Sequence, residues 1–427
     1  MNHAAQHVVN LKTEYFIPCL YHFYQDPPVI VSGKMQYLYD NEGKQYTDFY
    51  AGVTVMNCGH CNPEIIEPAI EQIRTLQHTT TIYLTNPTVE LGRKLVEYLD
   101  CKLKKLFFVN SGSEANEGAI LLSRLYTGKR GIIAVNGGLH GRTDLTMNAT
   151  GIEMWRTDPD ETLPIHFVPK PHCAQCELGL SPDNCNLACL DAVDKLLQQD
   201  NDIAAMIIEP IQGNGGIIVP PDDYFSRLKT ILTKHQVLLI FDEVQTGLGR
   251  TGAKYRFKTL GIEPDILTTA KALGNGFPIA AFCTTAEIAE CYRKPGASTT
   301  GGNAVSARAA LAVLDYHEKH NLAEHAATEG KYLLAKLREL GEKFNFIAEI
   351  RGAGLMLGME LALDGQPLSA MTDNILEIMK DQQFLIGKTG VNRNVLTFMP
   401  PLIINRNDID AMLKALSHAL QTVEVSP

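Results

Sequence analysis

Apolar positions along the chain change their spacing twice. Up to about Pro63 the chain carries short strand-like pieces, QYLYD and QYTDFYAG, separated by the turn sequence NEGK. Segments near 63–77 and 87–99 then show apolar residues at helical spacing. Past about His320 helical and strand-like pieces mix again, and an amphipathic helix is predicted over Arg406–Thr422.

The middle of the chain holds short, continuous apolar runs, each flanked by helical or Gly-rich sequence. The runs are LFFV (106–109), GIIAV (131–135), AAMIIE (204–209), VLLIF (237–241) and DILTTA (265–270). Continuous apolar strands that alternate with helices are typical of a mainly parallel sheet covered on both faces. The sequence therefore predicts an α/β protein, with a large domain at 64–318 and a smaller α+β domain formed by 1–63 and 319–427.

Composition and charge exclude several classes of function. The 427 residues carry a formal net charge of −10, which leaves no broad basic surface for nucleic acid or an anionic membrane. Nowhere do eighteen apolar residues follow one another, and the first residues do not resemble a signal peptide. We expect a cytoplasmic protein with mostly reduced cysteines and neither a nucleic-acid nor a membrane partner.

Two residues that could carry chemistry directly follow predicted strands, where open α/β sheets bind their ligands. Asp242 follows VLLIF, and a carboxylate there suits the ring nitrogen of a pyridine-type cofactor, although a helix cap or a metal ligand are alternatives. Lys271 follows DILTTA. Desolvation at that position would lower its pKa and make it a Schiff-base nucleophile, whereas an ordinary surface lysine is the alternative.

A third group lies between LFFV and the next predicted helix, in the sequence NSGSEANE. Gly112 would let the backbone approach an anion, Ser111 and Ser113 offer hydroxyls, and the helix N-terminus supplies amide donors. This pattern predicts a phosphate site. A capping box formed by the serine and Glu114 would explain the same residues, and a phosphate site and a capping box are compatible with each other.

These motifs, in this order, resemble those of a known family. NSGSEANE, EPIQG (209–213), FDEVQTGLGRTG (241–252) and AKALGNGFPIAA (270–281) are similar to the class III aminotransferases, which are fold-type-I enzymes dependent on pyridoxal 5'-phosphate (PLP). The resemblance runs from about Pro18 to Asp410. It implies a seven-stranded type of large sheet and a homodimer with shared active sites.

Two further stretches point to particular branches of that family. GKMQYLYD (33–40) and GHCNP (59–63) look most like the alanine–glyoxylate aminotransferase 2-like branch, which includes phospho-lyases. HGRT (140–143), followed by a Cys-rich segment, resembles 4-aminobutyrate aminotransferase-like proteins, some of which are racemases.

The resemblance implies roles residue by residue. Lys271 would hold PLP as a Schiff base and move protons, Asp242 would contact the ring nitrogen, and Glu209 would lie beside the substrate. Other implied cofactor contacts are Ser111, Gly112 and Ser113 at the phosphate, Leu139, His140 and Val244 at the ring, Gln245 at the phenolic oxygen, and Thr299 at the phosphate of the neighbouring subunit's cofactor.

The expected substrate contacts depart from the family pattern. Arg142 matches a carboxylate contact, but Thr397 stands where an arginine commonly clamps the α-carboxylate, and a threonine cannot replace that bidentate fork. Arg393 is the candidate substitute. Leu139 and Thr300 each stand where an aromatic residue is common.

These departures leave three reactions open. The first transfers the amino group of a small amine or amino acid to a small keto acid, pyruvate or glyoxylate. The second eliminates ammonia from a small amine that carries a phosphate or phosphonate, and the third racemises or epimerises an amino acid.

An insertion at 171–190 carries four cysteines with the spacing Cys173-x2-Cys176-x8-Cys185-x3-Cys189. Four thiolates so spaced would suit a structural zinc ion or an iron–sulfur cluster. The alternative is an inherited loop whose cysteines are reduced or partly disulfide-bonded and hold no metal.

Overall fold

The computed structural model describes residues 3–424, so the first two residues and the last three of the predicted small domain lie outside the described part. Its strands, in chain order, are β1 Ile30–Lys34, β2 Tyr37–Asp40, β3 Gln45–Asp48, β4 Lys105–Val109, β5 Gly131–Val135, β6 Ile165–Val168, β7 Ile203–Ile208, β8 Leu238–Asp242, β9 Ile266–Thr269, β10 Ala280–Thr284, β11 Ile347–Ala353, β12 Met356–Leu363, β13 Gln366–Pro367, β14 Phe384–Leu385, β15 Gly387–Thr389 and β16 Val395–Phe398.

Helices connect most of these strands. The α-helices are α1 His3–Tyr15, α2 Ala51–Thr54, α3 Pro63–Thr75, α4 Asn86–Leu99, α5 Gly112–Thr127, α6 Asp144–Asn148, α7 Pro182–Cys185, α8 Ala188–Gln199, α9 Tyr224–Lys234, α10 Ala286–Ala289, α11 Ala304–Lys319, α12 Leu322–Gly341, α13 Ser369–Asp381 and α14 Arg406–Glu424. Short 3₁₀ turns lie at Glu153–Trp155, Arg256–Thr259 and Lys271–Leu273.

The central sheet has seven strands in the order β4-β10-β9-β8-β7-β5-β6, and β10 is antiparallel to both of its neighbours. Alternate residues of one strand enter different hydrophobic clusters: Ile133 and Val135 of β5 belong to one, Ile132 and Ala134 to another. Because successive side chains of a strand point to opposite faces, both faces of this sheet are covered. This confirms the predicted α/β class and the mainly parallel sheet.

The chain ends form two smaller sheets. One has the order β1-β2-β3-β14, so it joins residues from both ends of the chain, and the other has the antiparallel order β11-β12-β16-β15 with β13 paired to β12. A common hydrophobic cluster contains Phe49 and Ile65 together with Leu357, Phe398 and Leu416. The exact domain boundaries at 63/64 and 318/319 remain a prediction.

The predicted strands and helices are present, and two strands of the central sheet were not predicted. The five apolar runs correspond to β4, β5, β7, β8 and β9, the two helical segments to α3 and α4, and the final amphipathic helix to α14. We had not predicted β6, which has only four residues, or β10, which follows the Gly- and Pro-rich sequence around Lys271. Within residues 3–424, no helix is long and apolar enough to cross a membrane.

Candidate active site

A cavity of about 360 Å³ opens where several strands of the central sheet end. Its volume lies in the usual range for small-molecule sites, roughly 300–1,000 Å³. Most of the predicted site residues line it: Ser111, Gly112, Ser113, Leu139, His140, Arg142, Glu209, Asp242, Val244, Gln245 and Lys271. These side chains follow β4, β5, β7, β8 and β9, so the sheet brings together residues up to 160 positions apart.

Lys271 begins the turn directly after β9. Its backbone has a φ of 47°, in the left-handed region that residues other than glycine rarely adopt. Such strained residues cluster at functional sites, where the surroundings hold them in place. Burial lowers the pKa of the Lys271 amine, and the nearby carboxylates of Asp242 and Glu209 oppose that shift. The net lowering favours the uncharged, nucleophilic form of the amine.

Asp242, the last residue of β8, is buried and held by several contacts. Its Oδ2 accepts a hydrogen bond from Asn116 Nδ2 at 2.8 Å and lies 2.8 Å from His140 Nδ1, and its Oδ1 accepts from the Val244 amide at 3.1 Å. Asn116 is itself fixed by Thr268, whose hydroxyl donates to Asn116 Oδ1 at 2.7 Å. The carboxylate is therefore oriented before any ligand binds.

The N-terminus of α5 faces the same cavity. Ser111 caps the helix, with its Oγ accepting from the Glu114 amide at 3.2 Å, and Glu114 Oε2 accepts from the Asn110 amide at 2.6 Å. The serine half of the capping box is therefore formed, whereas the glutamate bonds the amide one residue before the N-cap and not that of Ser111 itself. A Cβ at Gly112 would lie 3.1 Å and 3.3 Å from the methyl groups of Val244, so glycine keeps this end of the cavity open.

Glu209 directly follows β7 and is almost fully buried. Its Oε1 accepts from the Leu139 amide at 2.9 Å and its Oε2 from the Gly213 amide at 2.8 Å. Burial raises its pKa to about 7; the charge of Asp242 acts in the same direction, while His140 and the two amide hydrogen bonds oppose the shift. In the part of the chain that the structure describes, no lysine or arginine forms an ion pair with Glu209.

Thr299 does not line this cavity. It borders a separate depression formed with residues 78–85 and 301–304. Its neighbours are nevertheless tied to the cavity wall: the Thr300 hydroxyl donates to Asn110 Oδ1 at 2.8 Å, and Asn110 Nδ2 donates to Ser298 Oγ at 3.1 Å.

Arg393 and Thr397 also lie outside the cavity lining. The Arg393 guanidinium lies 5.7 Å from the ring centre of Tyr21 and 5.2 Å from that of Phe23, and its buried Nη2 has no hydrogen-bond partner among the described residues. Thr397 is fully buried in β16, and its hydroxyl likewise has no partner in residues 3–424. Their substrate-binding roles remain predictions.

Some residues of the site had not been identified from the sequence. Asn116, Asn110 and Asn214 line the cavity, and Asn116 orients Asp242. Asn110 and Asn116 both lie in the NSGSEANE motif. Asn116 could have been recognised there, because an asparagine buried in a helix needs hydrogen-bond partners.

The cavity fits a phosphorylated pyridine cofactor. His140 Nε2 and Gln245 Oε1 are buried without partners among the described residues, and both residues line the cavity. Buried polar atoms normally have hydrogen-bond partners, so the lack of partners for these two atoms is consistent with a polar ligand in the cavity. In such a cavity Asp242 suits the ring nitrogen of PLP, the N-terminus of α5 suits its phosphate, and Lys271 suits its aldehyde carbon.

Comparisons with known proteins agree with this geometry. The family described as aminotransferase class-III matches residues 24–420. The chain is 40% identical to the mitochondrial alanine–glyoxylate aminotransferase 2 homolog 2 of Arabidopsis thaliana over 421 residues, which cover 98% of this chain and 88% of the relative. It is 35% identical to a leucine/methionine racemase of Thermococcus litoralis over 405 residues, 93% of this chain and 91% of the relative.

Among solved structures, an aminotransferase of Bacillus anthracis superposes with a TM-score of 0.91 at 29% identity, covering 99% of this chain and all of that chain. The chain therefore belongs to the class III aminotransferases, which are PLP-dependent enzymes of fold type I. The predicted family, fold type and cofactor are confirmed.

The four cysteines of the insertion line one small cavity that shares no residue with the site around Lys271. None of them forms a disulfide. The family and the names of these relatives give no support for a metal there, so the predicted zinc ion or iron–sulfur cluster stays a prediction.

Proposed function

We propose that this enzyme transfers the amino group of a small amine or amino acid to a small keto acid, pyruvate or glyoxylate. The observation that carries the proposal is Lys271, whose amine has a lowered pKa in a cavity that also contains Asp242 and the N-terminus of α5. The name of the Arabidopsis relative, an alanine–glyoxylate aminotransferase, supports the choice of these keto acids.

Bound PLP would supply an electron sink that stabilises negative charge at the substrate Cα. Asp242 would keep a proton on the ring nitrogen, and the amides of Gly112 and Ser113 would hold the phosphate. The uncharged Lys271 Nζ would take the proton from the substrate Cα and deliver it to the former aldehyde carbon of PLP, so that the amino group would stay with the cofactor. The Arg142 guanidinium, exposed at the mouth of the cavity, would orient an anionic group of the substrate.

Racemisation is the second candidate, because a specific pair of observations favours it. The chain is 35% identical to a leucine/methionine racemase, and Glu209 lies in the cavity with a pKa of about 7 and forms no ion pair with a lysine or arginine of the described chain. Racemisation needs proton transfer on both sides of Cα, and Glu209 could hold or release a proton near neutral pH. Elimination of ammonia rests on Thr397 and on the resemblance of two N-terminal stretches to a branch that includes phospho-lyases, and neither relative named above is a lyase, so we rank it third.

The test is to incubate the PLP-loaded enzyme with small amino acids and amines, with and without pyruvate or glyoxylate. Amino-group transfer predicts a new keto acid and a new amino acid only when an acceptor is present. Inversion of Cα without an acceptor would make the enzyme a racemase, and sustained ammonia release without an acceptor would make it a lyase. Either result as the main activity would refute the proposal.

Lys271→Ala tests the role of the lysine itself. We expect loss of turnover and loss of the visible absorption of lysine-bound cofactor, because no other amine lines the cavity in the described chain. Lys254→Ala is the matched control, since Lys254 pairs with Glu318 at the surface. An unchanged spectrum in the Lys271 variant would contradict the assignment.

We also propose that the enzyme acts as a homodimer with shared sites. Beside Thr299 the chain exposes a run of apolar side chains, with Ile82 82%, Tyr83 67% and Leu84 90% accessible. Exposed apolar patches of this kind mark interaction surfaces. Leu84→Asp should lower the mass measured by light scattering and weaken PLP binding if Thr299 contacts the partner's cofactor. An unchanged dimer would remove this surface from the interface.

A further inference from the structure

Residues 212–218, shortly after Glu209, form a tight loop in the wall of the active site. The backbone of Gln212 pairs with that of Ile218 through two hydrogen bonds, of 3.1 Å and 3.0 Å. Between them Ile217 is fully buried and has a φ of 56°, a conformation that is rare for a β-branched residue. Strain of this kind persists only where surrounding contacts hold the backbone in place.

The same loop contacts side chains of the cavity. The Gly213 amide donates to Glu209 Oε2 at 2.8 Å, and a Cβ at Gly213 would overlap the side-chain amide of Gln245. Asn214, the next residue, lines the cavity. A shift of the loop backbone would therefore change the hydrogen bonding of Glu209 and the space around Gln245.

Arg351 of β11 holds the other side of this loop. Its Nη2 donates to the Gly216 carbonyl at 2.6 Å, and its Nε donates to the Gly216 and Ile217 carbonyls, at 3.0 Å and 3.2 Å. The arginine side chain is buried. Because a guanidinium presents several donors in one plane, a single side chain can fix two successive carbonyls of the strained loop.

Two carboxylates in turn hold the Arg351 guanidinium. Its Nη1 lies 2.6 Å from Glu349 Oε2 and 2.6 Å from Glu360 Oε2. His172 Nε2 lies 2.9 Å from Glu349 Oε2, and Gln175 Nε2 donates to Glu360 Oε1 at 2.5 Å. The donors that face the loop are therefore oriented by contacts on the opposite side of the guanidinium.

We propose that Arg351 is a positioning residue of the active site, which fixes the loop 212–218 and through it the Gly213 amide that hydrogen-bonds Glu209. Arg351 does not line the cavity, so it acts only through the backbone of the loop. The inference does not rest on amino transfer, because the ionisation of Glu209 can be followed in the PLP-loaded enzyme without any reaction.

The ionisation of Glu209 reports the position of the loop. Burial raises the pKa of Glu209 to about 7, and the hydrogen bond from the Gly213 amide opposes that shift. The charge of His140 opposes the shift as well, Asp242 adds to it, and Lys271 also faces this carboxylate. A displaced loop would weaken the Gly213 bond and leave these three side chains in place, so the pKa of Glu209 should rise further.

The experiment follows the melting temperature of the PLP-loaded enzyme against pH in pairs of chains, each with and without Glu209→Gln. The difference within a pair isolates the Glu209 carboxyl, and in the wild type its contribution should decline with rising pH until about pH 7. Arg351→Lys keeps the positive charge but loses the planar fork. We expect the decline to continue to a pH roughly one unit higher, the size expected for loss of a hydrogen bond to a charged group.

Arg406→Lys is the matched control. It makes the same exchange in another guanidinium–carboxylate pair, with Glu329, and neither residue of that pair lines the cavity. It should leave the end of the decline at about pH 7. Arg351→Lys should also lower kcat roughly tenfold or more for whichever substrate the enzyme turns over, because small displacements of active-site groups slow the reaction strongly.

Glu360→Gln covers the case in which Arg351→Lys does not fold. Glutamine has the shape of glutamate but holds the Arg351 guanidinium less firmly, so the decline should move in the same direction by a smaller amount. A melting temperature that is lowered at every pH, with the decline ending where it ends in the wild type, would overturn the positioning role. An unchanged kcat in Arg351→Lys would overturn it as well.

Discussion

Replacing Glu209 by glutamine should remove an ionisation near pH 7 from both stability and activity. In the folded protein burial raises the pKa of Glu209 from 4.5 to about 7. Between about pH 4.5 and pH 7 the folded protein therefore keeps a proton on Glu209 that the unfolded chain has released. The resulting stabilisation is fully present below about pH 4.5 and is lost as the pH rises through about 7. The span between the two values corresponds to about 3 kcal/mol of folding free energy.

The chain offers a matched control in Glu243. It is equally buried, and burial raises its pKa to about 7 as well, but it does not line the cavity. Its carboxylate instead accepts from the amides of Phe257 and Arg256, at 2.8 Å and 2.9 Å, and from the Thr246 hydroxyl at 2.7 Å. Glu243→Gln should therefore change the pH dependence of stability while leaving the pH profile of catalysis as it is in the wild type.

The assay compares wild type, Glu209→Gln and Glu243→Gln by melting temperature and by kcat/KM across neutral pH. The stability of the wild type should fall as the pH rises, and in each variant this fall should be smaller. With an anionic substrate, kcat/KM of the wild type should fall above about pH 7, because ionised Glu209 adds a negative charge beside Asp242. Glu209→Gln alone should abolish that fall. The reasoning is refuted if its profile matches that of the wild type.

Three further changes test other parts of the site. Gly112→Ala places a Cβ 3.1 Å from a Val244 methyl group and should weaken PLP binding about tenfold in a fluorescence titration, which corresponds to an overpacking cost of about 1.4 kcal/mol; an unchanged Kd would show that the phosphate does not lie there. Arg393→Met should raise KM for an acidic substrate roughly tenfold or more with little change in kcat, because the unpartnered Nη2 can donate to a charged group; equal effects on neutral and acidic substrates would argue against direct recognition. Thr397→Val removes a buried hydroxyl without a partner in the described chain and should raise stability by about 1 kcal/mol in thermal unfolding at constant KM; a raised KM would place the substrate at this hydroxyl.

The sequence by itself determined the class of fold and the positions of its chemistry. Continuous apolar runs predicted the strand that ends at Asp242 and the strand that ends shortly before Lys271, because burial on both faces leaves a local signature. The motifs identified the family, and the family implied the role of each matched residue. β6 and β10 escaped prediction because His166 interrupts the apolar run of β6, while β10 directly follows the Gly- and Pro-rich sequence after Lys271.

Only the tertiary structure decided which side chains meet. Asp242 contacts His140 and Asn116 across 102 and 126 positions of sequence, and no local pattern encodes such pairs. The strained φ of Lys271 and the pKa of Glu209 near 7 likewise depend on burial by surrounding elements. The physical reason is the same in each case: periodicity reports the environment of one segment, whereas orientation, desolvation and pairing arise from contacts between distant segments.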